Sequence, residues 1–152
     1  MFLVKDGSES REERIKQFLS EDPALAALLS VIHFEWTVRR AIIALGDSPN
    51  VIVRQKLDGC HGHKAYKELW KEEIAHKANR STLPVVVVNW EGLLKAFKLR
   101  HILVHGVQTC GPEYATERAG WAIAAAKDVR VFCLQKEVNL DERLPVRRQK
   151  QA

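Results

Sequence analysis

Between Asp22 and Gly46 the apolar residues recur every three or four positions, through Leu25, Leu28, Leu29, Ile32, Trp36 and Ile43. With Asp22 as a cap and Pro23 at the first helical position, that spacing predicts a helix that Gly46 stops. It is the clearest helix in the chain, and the remaining segments read in the same period. Ser10 followed by Glu13 has the form of a capping box, with Ile15, Phe18 and Leu19 behind it. Ser48 and Pro49 open a short helix that ends near Gly59. Tyr66, Leu69, Trp70 and Ile74 form one side of an amphipathic helix over residues 64–79. The valines at 85–88 favour a strand by propensity, yet Leu93, Ala96, Phe97, Leu99 and Leu103 recur at helical spacing, so a helix is expected to start between Thr82 and Val85. Pro112 opens a last helix through Trp121, Ala125, Val129 and Phe132.

No segment alternates as a half-buried strand would, and no internal repeat is present. The expected fold is all-α, an antiparallel bundle of four to five main helices. At 152 residues the chain suits one domain, over residues 1–140, followed by a frayed basic tail over residues 141–152. Twenty-four Lys and Arg against nineteen Asp and Glu give a net charge of +5, which favours an anionic partner, although a solvated basic surface explains the same balance. Cys60, Cys110 and Cys133 are odd in number and far apart, which suits a reducing cytoplasm rather than a disulfide framework. The apolar start at residues 1–4 is too short for a signal peptide, and no apolar run reaches membrane-spanning length.

Chemistry concentrates in KLRHILVHGV, residues 98–107. His101 and His105 share a helical face; Arg100 and His105, five apart, converge only if the helix ends or tightens at His105, which Gly106 permits as a cap. Basic residues in a last helical turn complement the helix dipole, the plain structural reading. As chemistry, an imidazole at His105 moves a proton near neutral pH and Arg100 holds a phosphate. Those two roles suffice to cleave RNA through its own 2′-hydroxyl, without metal or other cofactor.

Here the sequence resembles the HEPN domains (higher eukaryotes and prokaryotes nucleotide-binding), whose motif is an arginine, a polar residue, and a histidine after four to six residues, at a helix end in an α-bundle. Arg100, His101 and His105 fit that pattern, and LRHILVHG looks like the family's form. The resemblance implies a metal-independent endoribonuclease, a toxin of a toxin–antitoxin or phage-defence system, built as a homodimer with a composite cleft and neutralised by an antitoxin protein. By position, Arg100 would stabilise the scissile phosphate, His105 would serve as acid/base and His101 would take the polar second place. Glu35 is the candidate for the polar residue that such families bring from an earlier helix, unless it pairs with Arg39 one turn on. The same resemblance also admits an inactive helical module that binds a protein or a nucleotide.

Arg39, Arg40, Lys95 and Lys98 lead the basic residues suited to an RNA backbone. Trp36, Trp70, Trp90 and Trp121 lie on apolar stripes and suit the core better than base stacking. Cys60, His61, His63 and His76 match no standard zinc spacing; with His101 and His105, whose i,i+4 separation can clasp one metal, they make a metal-binding helical protein the rival idea, but no glutamate follows His101 as a zinc hydrolase helix requires, so no metal site is expected.

Overall fold

The structure, a computed structural model, describes residues 7–76, 81–106 and 108–150. Within those residues it is all-helical, with seven helices and no strand: α1 (Ser8–Glu21), α2 (Pro23–Leu45), α3 (Asn50–Asp58), α4 (His63–Trp70), α5 (Leu83–Val86), α6 (Trp90–Val104) and α7 (Pro112–Gln135). No described helix is long and apolar enough to cross a membrane. The expected apolar start at residues 1–4, the end of the amphipathic helix at 77–79, and residues 151–152 of the tail lie outside the described residues. The chain divides into two compact units, Met1–Trp36 with Asn89–Lys127 and Thr37–Val88 with Asp128–Ala152.

In the first unit small residues let helices approach closely: Ala27 of α2 packs with Leu99 of α6 and with Ala115 and Ala119 of α7. Ile15 of α1, Ala26 and Ile123 form a neighbouring cluster. Asp22 caps α2 as expected, its Oδ1 accepting from the Leu25 N–H at 3.1 Å. The capping box at Ser10 does not form. α1 begins three residues earlier, after Gly7, which places the buried Ser8 hydroxyl where it accepts from the Arg11 guanidinium at 3.3 Å.

The expected continuous helix across the valines is broken. Val87 is extended, with φ −82° and ψ 110°, as suits a β-branched residue, and the Val88 N–H donates to Asp128 at 2.9 Å. Asn89 then caps α6, its Oδ1 accepting from the Gly92 N–H at 2.9 Å. Gly92 is required there, because a Cβ would stand 2.8 Å from the Asn89 Cγ and 2.9 Å from the Trp121 ring.

In the second unit Tyr66, Trp70, Ile42, Ile74 and Leu83 are fully or almost fully buried. The Trp70 indole N–H donates to the Ser81 carbonyl at 2.9 Å. After Trp70 the helix widens into a π-turn, Lys71–Ala75, which buries three consecutive residues, Glu73, Ile74 and Ala75. Ser48 does not cap α3. Pro49 occupies that position, and the Ser48 hydroxyl donates instead to Glu73 at 2.7 Å.

Nor is the basic tail frayed as far as Arg147. The Arg147 guanidinium donates to the carbonyls of Ile43, Ala44 and Ser48 at 2.8, 3.1 and 2.9 Å, closing the C-terminal end of α2. Asn50 bonds both Pro145 and Arg147, so residues 140–147 run as a strap rather than as solvated coil.

Candidate functional site

α6 carries the motif, and its orientation follows from its apolar face. Phe97 packs edge-on against Phe34 of α2, with ring centroids 5.9 Å apart. That contact brings Glu35, next along α2, to Arg100, three residues further on α6. The two pair through both nitrogen–oxygen contacts of a fork, 3.1 and 3.2 Å, with the carboxylate mostly buried and the guanidinium about one-quarter exposed. The Arg100 guanidinium also lies 5.4 Å above the Phe97 ring.

The histidines occupy the other side of the helix. Residues five apart are turned by about 140°, so His105 falls in an exposed stripe with His101 and Lys98 while Arg100 leans on α2. The His101 and His105 rings lie against each other, with centroids 4.3 Å apart and planes inclined at 57°. The helix ends where Gly106 allows: His105 is the C-cap, and Gly106 takes the left-handed conformation, φ 62°. Its N–H closes back on the Leu103 carbonyl at 3.2 Å. Beside this end, Leu99, Ile102, Gln108, Thr109, Cys110, Gly111 and Tyr114 line a cavity of about 290 Å³.

The other basic candidates differ in how far they are committed. Lys98 and Lys95 are exposed on α6, and the Lys95 ammonium sits 5.7 Å above the Trp121 ring. Arg118 shares that ring at 5.3 Å and stacks on Tyr114 at 3.2 Å, with its buried Nε lacking a hydrogen-bond acceptor. In the second unit Arg39 donates to the Tyr66 hydroxyl and to the carbonyls of Leu57 and Cys60. Arg40 donates to the carbonyls of Leu140 and Glu142, and burial lowers its pKa against the opposing pull of Asp141. Both guanidiniums thus hold backbone together.

Of the tryptophans, Trp70 is fully buried and the other three are half-buried. Cys60 is buried with its thiol pushed up by desolvation, and His76 pairs with Asp47. Among the described residues no group of three or more His, Cys, Asp or Glu side chains is placed to hold a metal ion.

Two polar clusters escaped the sequence reading. His33 is fully buried between Arg11, whose Nε–H donates to its Nδ1, and Glu12, whose Oε1 lies 3.2 Å from its Nε2. That donor pattern assigns the ring proton to Nε2. The line of Ser30, His33 and Thr37 along an otherwise apolar face was its signal in the sequence. In the second unit buried Glu73 accepts from the N–H groups of Asp47 and Ser48, from the Ser48 hydroxyl and from Lys56. Burial alone would raise its pKa; the Lys56, Ser48 and Asp47 donors outweigh it and pull the carboxyl down to about 2.

No family model, curated protein or solved structure matches the chain.

Proposed function

We propose that the chain is an endoribonuclease of HEPN type that cuts RNA without a metal, as a homodimer in which two copies of α6 face one another. The observation that carries this reading is the end of α6, where the exposed His101–His105 pair sits at the helix terminus that also bears Arg100, with Lys98 one turn before. Because Arg100 and His105 of one chain face apart, a cleft needing both on one phosphate draws them from different copies. In the reaction His105 takes the proton of the 2′-hydroxyl, and that oxygen attacks the adjacent phosphorus. The 5′-oxygen leaves with a proton that the His105 imidazolium gives back by way of water, giving a 2′,3′-cyclic phosphate and a 5′-hydroxyl end. Arg100 balances charge on the phosphoryl oxygens, and exposed Lys95 and Lys98 hold the backbone. The biological setting is that of a toxin restrained by an antitoxin.

The second reading, a non-catalytic HEPN-like module that binds a protein or a nucleotide, is favoured by the internal pairing of Arg100 with Glu35, which neutralises the phosphate-binding group. Incubating total RNA with the purified chain in EDTA separates the two. Cyclic-phosphate ends made by the native chain and lost in both His105→Ala and Arg100→Ala support the nuclease. No cutting by the native chain, or equal cutting by all three, overturns it.

A further inference from the structure

The exposed histidine pair has a capacity that proton transfer does not use. A metal ion bound by imidazole lies in the plane of the ring, along a nitrogen lone pair, at about 2.0–2.1 Å for zinc. Two parallel stacked rings share no such point. The His101 and His105 planes are inclined at 57° with centroids 4.3 Å apart, so the rings are not stacked in parallel, and rotation about their side-chain bonds can turn one nitrogen of each toward a common ion. Both rings are exposed, so approach costs no opening of the fold, and the helix fixes their separation before any ion arrives.

We propose that His101 and His105 form a two-imidazole chelate for one divalent transition-metal ion of the zinc type, with water filling the remaining positions. Imidazole selects zinc, copper and nickel over magnesium and calcium, which prefer oxygen donors. The ion adds to two nitrogen lone pairs and displaces only its own waters; no electron changes hands. Resting on the nuclease reading, a further consequence is regulatory: the bound ion occupies the imidazole of His105, so zinc inhibits cleavage that itself needs no metal.

The test is titration of Zn²⁺ into the purified chain, followed through the ring nitrogen resonances of the histidines. The expected result is that two histidines, assigned to 101 and 105 by substitution, shift together and saturate at one ion per chain, while Mg²⁺ moves neither. His101→Ala and His105→Ala each weaken that binding by roughly 10- to 100-fold, the loss of an intramolecular second ligand. Both side chains are exposed, so unchanged helical circular dichroism should accompany the loss. Ring signals that do not move, or native affinity retained in both variants as binding at Cys60, His61 and His63 would give, overturn the site. Cleavage assays with and without Zn²⁺ address the regulatory consequence: unchanged cutting at saturating Zn²⁺ overturns the inhibition, and absence of cutting in EDTA overturns the nuclease reading while the ring titration still decides the metal site.

Discussion

Glu35 and Arg100, 65 residues apart in sequence, hold one another through two contacts of 3.2 and 3.1 Å. The pair is only partly exposed, so each partner shields the other from an unpaired, half-desolvated state. Glu35→Ala, Arg100→Ala and the double variant, compared by urea unfolding, should show a coupling energy of roughly 1–3 kcal/mol. Arg100→Lys should recover little of it, because an ammonium lacks the planar fork that matches a carboxylate. Additive losses would mean that the two groups contribute independently.

Glu73 predicts an acid limit to stability. Its carboxyl titrates at about 2 in the folded chain, below its ordinary value of 4.5, so the folded state binds fewer protons in that interval. The stabilisation is complete above the ordinary value and is lost as pH falls from there through about 2, a swing of roughly 3 kcal/mol from the size of the shift. Glu73→Gln should flatten the stability–pH curve over that window. Glu73→Ala, which strands the Asp47 and Ser48 N–H groups and Lys56, should cost about 3–5 kcal/mol near neutral pH. Chemical denaturation at a series of pH values measures both.

What the sequence showed clearly was whatever repeats within a few residues. The stripe of α2 with its Asp22 cap, the shared face of His101 and His105, and the stop at Gly106 all follow from helical period and local turn chemistry. What it hid was pairing across distance. Glu35 offered Arg39 as a partner one turn on, and nothing local pointed to Arg100 on another helix. The Ser48 hydroxyl resembled a cap because its acceptor, Glu73, lies 25 residues away. The tail resembled solvated coil because its partners are backbone carbonyls, which leave no mark in composition.

That tail leads to a third prediction. Arg147 satisfies carbonyls at the end of α2 that have no partner within their helix. Burial lowers its pKa, while Glu73 and Asp47 oppose the shift. Arg147→Ala should therefore destabilise the fold by about 1–3 kcal/mol and raise the rate of protease cleavage within residues 140–150. Arg147→Lys should fall well short of native, since one ammonium cannot reach three carbonyls in the guanidinium's arrangement. Thermal unfolding with limited proteolysis distinguishes this strap from a solvated tail, for which both substitutions would be silent.

Two glycines within helices should answer the same substitution with opposite signs. Alanine is favoured over glycine in a helix by about 1 kcal/mol, and at exposed Gly120 of α7 an added Cβ meets nothing within 4 Å. Gly120→Ala should raise stability by about that amount. At Gly92 the same methyl would press into the Asn89 side-chain amide and stand 2.9 Å from the Trp121 ring. Asn89 must then release the α6 cap or Trp121 must shift, and the overpacking cost of about 1–3 kcal/mol exceeds the helical gain. Gly92→Ala should thus lower the melting temperature while Gly120→Ala raises it. Two increases would show that the start of α6 has room to yield, in which case the Asn89 cap does not set the position of the helix that carries Arg100 and His105.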